Sequence, residues 1–342
     1  MQLNKQKLLN TIIKTIEKVK TSEGANKVYY FTLLCSLNDI YSSLTNENYI
    51  EIEEYIDEYS LLSKLKKEII NNQQQFYNKN INQIYNISKN ISLCKKELLY
   101  PQNIYDLISL KQAKEYVFEF LDTIDHNYRQ SIEKIWETNI GYAKVNRCAY
   151  SVFNDDINDS YIVLGSNLLD YNKLNILIHE LGHLYESYLY NFDNTCNLST
   201  YLSPLDELTS TYFERKFIDY ISTKEKEYGQ ALMKKYNYRT IEFMKLIYLA
   251  INNKLEIDNE GDIFISYNKL LELKNKDSID YNTMILNYNL YKYINYGFSN
   301  LISSYINDSS TDKVNDNIVN DTYVKKFKYY SNKGSKTFLN NI

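Results

Sequence analysis

The residues of this chain that could do chemistry are concentrated in the segment His-Glu-Leu-Gly-His at residues 179–183. On a helix, positions i and i+4 lie one above the other, so the imidazoles of His179 and His183 can bind one metal ion. Neutral imidazole nitrogen is a preferred zinc ligand. Glu180 is rotated by about 100° from His179, so it can act as general base toward a water molecule without being a ligand. The motif predicts a hydrolytic zinc site.

The context of the motif favours this interpretation over two ordinary core histidines. Apolar residues flank it at helical spacing, and Asp170 or Asn172 can cap the start of the helix. The chain has only three histidines, and two of them are in the motif. Burying both in an apolar core would leave two imidazoles and a carboxylate in need of polar partners.

The third ligand should come from another segment, because catalytic zinc takes three protein ligands and keeps a fourth position for water. A strong helix start at residues 203–206 precedes Glu207. On that helix Glu207, Ser210 and Glu214 form one polar stripe. The stripe faces either solvent or a metal. If it faces a metal, Ser210 or Glu214 would orient the histidines. Spacing alone leaves Glu186, Glu207 and Glu214 open as the third ligand.

Four segments in sequence order carry a family resemblance. They are Cys148-Ala149-Tyr150-Ser151, Tyr161-Ile162-Val163-Leu164, the motif at 179–183 and Glu207-Leu208-Thr209-Ser210-Thr211. This order resembles the oligoendopeptidase F and thimet oligopeptidase family of zinc peptidases, and the resemblance is closest over residues 147–215. It implies a mainly α, zincin-like metallopeptidase fold with a small β-sheet beside the active-site helix and a substrate channel.

The resemblance also implies roles for individual residues. It makes His179, His183 and Glu207 the ligands of one Zn²⁺ per chain, and Glu180 the base. The substrate would be a peptide whose backbone pairs with an edge strand. That strand is formed by Tyr161, Ile162, Val163 and Leu164.

One feature of the family is missing from the chain. Family members place a histidine upstream of paired tyrosines to stabilise the oxyanion, but residues 281–287 contain none and no histidine follows His183. We therefore expect Tyr291 and Tyr293 to donate to the tetrahedral intermediate. In a chain with 36 tyrosines, the alternative is that both are ordinary helix residues. His126, among polar neighbours, is predicted to lie on the surface.

Two prolines and eight glycines in 342 residues indicate long helices. Helical periodicity covers 3–20, 25–44, 47–72, 74–97 and 110–138, and two short strands are predicted at 148–153 and 160–165. We divide the chain into a helical amino-terminal region, 1–140, and a zinc catalytic region, 141–342. The boundary is soft, and the two can form one continuous unit.

Composition excludes some partners and favours a cytoplasmic location. A net charge of −4 argues against nucleic acid or a membrane surface as principal partner. The sequence has neither a secretory signal nor an apolar run of bilayer length. The four cysteines are widely spaced, which suits reduced thiols.

The sequence as a whole predicts a zinc-dependent metalloendopeptidase that hydrolyses oligopeptides or short unfolded segments. Two alternatives belong to other classes of protein. One is a zinc-containing peptide-binding protein whose hydrolysis has weakened, which the missing histidine and a short amino-terminal region suggest. The other is a helical interaction protein in which the metal is a structural staple; the presence of Glu180 argues against it.

Overall fold

The computed structural model is mainly helical, with one small three-stranded sheet, as the sequence predicts. It describes residues 2–50, 52–92, 101–144, 148–190 and 207–252, the short pieces 256–257 and 263–264, and residues 296, 297, 299–301 and 303. Its helices are α1 Lys5–Thr21, α2 Gly24–Thr45, α3 Ile56–Ser92, α4 Leu110–Ile124, α5 His126–Asn139, α6 Tyr171–Tyr190, α7 Leu208–Lys224 and α8 Lys226–Asn252. Its strands are β1 Ile140–Tyr142, β2 Ala149–Val152, β3 Tyr161–Leu164, β4 Glu256–Ile257 and β5 Ile263–Phe264.

Three helix boundaries differ from the prediction. The helix expected from residue 47 begins at Ile56, after a short 3-10 helix at Ile52–Tyr55. The helices expected at 47–72 and 74–97 are largely one helix, α3, because Gln73, the residue between them, does not break a helix; residues 93–97 lie outside the described residues. The helix expected at 110–138 is two helices. Asp125 separates them: its backbone is extended, and its side chain accepts from the backbone N–H groups of Asn127 and Tyr128 to cap α5.

The order of strands in the sheet contradicts the prediction that β3 is an edge strand. β3 is the central strand, with β1 parallel on one side and β2 antiparallel on the other. All four of its residues, Tyr161, Ile162, Val163 and Leu164, are buried. The prediction that they form an edge strand is wrong, because β2 pairs with all four residues on one side and β1 pairs with residues 162–164 on the other. The open edge next to α6 belongs to β2, whose outer side pairs with no described strand.

The sheet separates two hydrophobic clusters, because side chains alternate along each strand. Tyr161 and Val163 pack with residues of α1 and α2, whereas Ile162 and Leu164 pack with α6. The larger cluster contains residues from both sides of position 140. The division of the chain at that position stays a prediction. No helix in the described part of the chain is long and apolar enough to cross a membrane.

Candidate metal centre

Helix α6 carries the His-Glu-Leu-Gly-His motif and is fixed at its start and in its middle. Asp170 caps it, as predicted: its Oδ1 accepts from the backbone N–H of Lys173 at 2.7 Å. The hydroxyl of Tyr128, fully buried on α5, donates to the backbone carbonyl of Leu181 at 2.6 Å. Because Leu181 lies inside the motif, this bond holds the functional part of the helix against α5.

The two histidines meet Glu207, the residue immediately before α7. Nε2 of His179 and Nε2 of His183 each lie 3.2 Å from the same oxygen, Oε2 of Glu207. The two ring planes are at 84° with centroids 4.9 Å apart. Only 7% of His179 and 8% of Glu207 is exposed. The structure thus brings together the three residues that were predicted as metal ligands.

The donor set and its spacing fit a metal ion. One atom from each of the three residues lies within 4.8 Å of the others. Zinc bonds of about 2.0–2.1 Å in tetrahedral geometry place neighbouring ligand atoms about 3.3 Å apart, close to the two 3.2 Å distances. Two nitrogens and one oxygen are also typical ligands of a catalytic zinc site. This buried group can therefore hold a metal ion.

Gly182 allows the two helices to approach closely enough for this contact. A Cβ atom at Gly182 would lie 2.6 Å from Cα of Ser210 and 3.0 Å from the carbonyl oxygen of Thr209. The backbones of α6 and α7 therefore touch at this point. The glycine lies one residue before His183, so the contact brings the start of α7 beside the imidazoles.

The two histidines and Glu207 each favour the charged form of the other. Burial alone would lower the pKa of His179, but its contacts with Glu207 and Glu214 raise it to about 10. Burial would also lower the pKa of His183, but the charge of Glu207, its hydrogen bond and the charge of Glu180 together raise it. Burial would raise the pKa of Glu207, yet the two histidines hold it well below its usual range. These contacts make the three residues an ion-paired cluster, and a metal ion bound there would replace the protons on the rings.

Glu214 and Ser210 surround this cluster, as the polar stripe suggested, but they contact different residues. Oε1 of Glu214 lies 2.6 Å from Nδ1 of His179, and its Oε2 accepts from Asn175 at 3.1 Å and from Arg239 at 2.6 Å. Burial would raise the pKa of Glu214, but Arg239 and His179 lower it to about 2. Ser210 orients no histidine; it donates to Oε2 of Glu207 at 3.1 Å, because it lies one turn further along the same helix.

Glu180 lies beside the cluster and belongs to a separate contact. Its Oε2 accepts a hydrogen bond of 2.7 Å from the hydroxyl of Ser151, on β2. Ser151 is paired with Ile162, so its side chain shares the face of the sheet that packs on α6. The strand therefore reaches the carboxylate that was predicted as the base, and only 8% of Glu180 is exposed.

A tyrosine that was not predicted as a site residue also lies at the cluster. The hydroxyl of Tyr296 donates to Glu207, and its ring stacks on that of His179 with centroids 6.0 Å apart. Burial and the negative charges of Glu207 and Glu180 raise the pKa of Tyr296 well above its ordinary value. Tyr291 and Tyr293 lie outside the described residues. In a chain with 36 tyrosines, no local pattern distinguishes Tyr296 from the others.

The remaining candidates lie outside the cluster. Glu214 contacts the far nitrogen of His179, and Glu186 is not one of the three converging residues. Burial raises the pKa of Glu186 to about 7. His126 is exposed and pairs with Asp122 at 2.8 Å, as expected of a surface histidine.

Comparison with known proteins adds one structural likeness. No protein-family model and no curated protein matches the chain. It is similar to the crystal structure of a "putative peptidase" from Chlamydophila abortus, with 15% identity and a TM-score of 0.41. The match covers 87% of this chain and 53% of that protein, so the chain spans about half of its length. A likeness this distant does not identify a function, which has to be inferred from the geometry of the site.

Proposed function

We propose that the protein is a zinc-dependent metalloendopeptidase that hydrolyses oligopeptides or short unfolded segments. The observation that carries this proposal is the convergence of His179, His183 and Glu207 on one point, with Glu180 beside them. Zinc held there would polarise the scissile carbonyl and acidify the attacking water. The Glu186 and Glu214 alternatives are weaker because neither carboxylate lies between the two imidazoles.

The proposed base is Glu180, acting through the oxygen that Ser151 does not hold. The Ser151 hydroxyl occupies Oε2, which leaves Oε1 to take a proton from the attacking water and to deliver it to the leaving amine. The hydroxyl of Tyr296, which donates to Glu207 in the metal-free protein, would turn to the developing oxyanion once Glu207 binds zinc. Its raised pKa keeps the phenol protonated, as a donor must be.

We assign the pairing of the substrate backbone to β2 instead of β3. The carbonyl oxygen of Cys148 accepts from the N–H of Gly165, which follows β3. Because backbone groups alternate in direction along an antiparallel strand, those of Ala149 and Ser151 point away from β3. A peptide could add to this open edge. The peptide would then run beside Ser151, whose side chain holds Glu180.

The experiment is a joint measurement of metal content and peptide cleavage. The purified protein should contain about one zinc per chain and cleave unstructured oligopeptides until a chelator removes the metal. Glu180→Gln should retain the zinc and lose turnover by about 100-fold or more, because it removes the proton acceptor. Full cleavage by this variant would exclude the mechanism. Tight peptide binding without cleavage by the unmodified, zinc-loaded protein would instead support the weakened, peptide-binding alternative.

A further inference from the structure

Arg239, on α8, reaches the metal centre through one carboxylate. Its Nη2 donates to Oε2 of Glu214 at 2.6 Å, and Oε1 of the same carboxylate lies 2.6 Å from Nδ1 of His179. The guanidinium is thus linked to a proposed metal ligand through a single side chain. Three helices meet in this link, since His179 is on α6 and Glu214 is on α7.

The carboxylate of Glu214 is held on both of its oxygens. Oε2 also accepts from Nδ2 of Asn175, which lies one helical turn before His179. Only 2% of Glu214 is exposed, so water has little access to compete for these bonds. Charge-assisted bonds of this kind fix the orientation of the carboxylate as well as its position.

A fixed carboxylate sets which nitrogen of His179 can bind a metal. With Glu214 as the acceptor at Nδ1, the neutral ring carries its proton there and leaves the lone pair on Nε2. That nitrogen faces the oxygen of Glu207. If Glu214 could rotate, the ring would lose both its preferred tautomer and its orientation.

An arginine at position 239 is suited to holding a carboxylate in one orientation. Only four of the 39 basic residues in the chain are arginine. A planar guanidinium presents several donors in fixed directions, whereas a lysine ammonium is a single flexible point charge. Arg239 is also restrained from another side, since its guanidinium lies 5.7 Å from the ring centroid of Tyr236.

We propose that Arg239 is a positioning residue of the metal centre, which holds Glu214 so that Glu214 orients His179 toward the metal. The inference rests on the proposed metal site and is independent of peptide hydrolysis. If the zinc-loaded protein cleaved no peptide, the proposed function would fail while the role of Arg239 in metal binding could still be measured.

The test measures zinc affinity by competition with a chromophoric chelator, so no substrate is needed. Arg239→Met should raise the zinc dissociation constant by about 10-fold or more, because Glu214, the outer partner of His179, is then held less firmly. Arg215→Met is the matched control, because Arg215 is on α7 beside Glu214 but donates to the sulfur of Met233. It should leave zinc affinity unchanged. The visible spectrum of the Co²⁺-substituted protein should change in the Arg239 variant only.

A double-mutant cycle tests whether Arg239 acts through Glu214. Glu214→Gln keeps an oxygen for Nδ1 of His179 but removes the charge that Arg239 holds. In that background Arg239→Met should change the zinc dissociation constant by less than about twofold. Arg239→Lys, which keeps a charge beside Glu214, replaces the methionine variant if that one does not fold, and should still weaken zinc about tenfold. Wild-type zinc affinity in the folded single variant, or an undiminished loss in the Gln background, would overturn the proposal.

Discussion

Ser151 controls the orientation of the proposed base at the scale of single residues. Its hydroxyl holds one oxygen of Glu180 at 2.7 Å, and the carboxylate is otherwise carried on a rotatable side chain. Ser151→Ala should lower kcat by about 10- to 100-fold, the equivalent of one hydrogen bond to a charged group. KM and zinc affinity should stay unchanged, because the serine contacts no proposed ligand. Steady-state kinetics measure kcat and KM, and chelator competition on the same preparation measures zinc affinity.

The control for this prediction is Ser151→Thr. Threonine keeps the hydroxyl and suits a strand, so activity should be largely retained. If alanine and threonine lowered kcat equally, the loss would come from disturbed packing of β2 and not from the hydrogen bond to Glu180.

Local patterns predict some of these residues and leave others undetermined. The i, i+4 spacing is sufficient to pair His179 with His183, since one helical turn sets the geometry. The third ligand could not be chosen by spacing, because the answer depends on how α6 packs against α7. Arg239 and Tyr296 approach the site only through tertiary packing, and neither belongs to a recognisable motif.

At the scale of elements, the contact between α6 and α7 decides whether the cluster forms. Gly182→Ala would place a methyl group 2.6 Å from Cα of Ser210, where backbone leaves no room to adjust. The helices must separate, so the free energy of unfolding of the metal-free protein should fall by about 1–3 kcal/mol. Zinc affinity should fall as well, because Glu207 moves away from the imidazoles. Urea unfolding and chelator competition measure the two effects.

Ser187→Ala is the control on the same helix. Ser187 lines an open cavity of about 270 Å³, so alanine there meets no backbone. The free energy of unfolding and the zinc affinity should both remain as in the unmodified protein. A Gly182→Ala protein with normal stability and normal zinc affinity would show that the helices do not need this close approach.

The elements themselves were predictable to different degrees. Hydrophobic periodicity and helix-breaking residues predict the helices before residue 140 and the two longer strands. In the described residues the structure confirms them, apart from the boundaries of α3 and the break at Asp125. The order of the sheet was not predictable in the same way. β1 has only three residues, Ile140–Tyr142, too few for an alternating pattern. Without β1, β3 looks like an edge, so the sequence offered nothing to correct the edge-strand assignment that the family resemblance implied.

At the scale of the whole molecule, the linked charges make metal binding and folding depend on pH. The pKa of His179 is raised to about 10 in the metal-free protein, against about 6.5 in an unfolded chain. Its pairing therefore stabilises the fold fully below pH of about 6.5 and is lost as pH rises toward 10. The pKa of Glu214 is lowered to about 2, so its contribution is present above about pH 4.5 and is lost as pH falls toward 2. The cluster should stabilise the metal-free protein most between these limits, at about pH 4.5–6.5.

Zinc affinity should instead increase as pH rises above about 6, where the stability of the metal-free protein falls. A metal ligand must be a neutral imidazole, so zinc displaces the protons that the raised pKa values of His179 and His183 retain. Zinc affinity should therefore increase by about tenfold per pH unit for each proton displaced. The increase in Tm on adding zinc should be larger at pH 8 than at pH 6, measured by thermal unfolding in zinc-buffered solutions. Glu207→Gln removes a proposed ligand together with the charge that helps to raise both pKa values, so in this variant zinc should raise Tm little at either pH. A zinc-induced shift in Tm that is equal at both pH values would mean that the imidazoles are already neutral, which contradicts their pairing with Glu207 and Glu214.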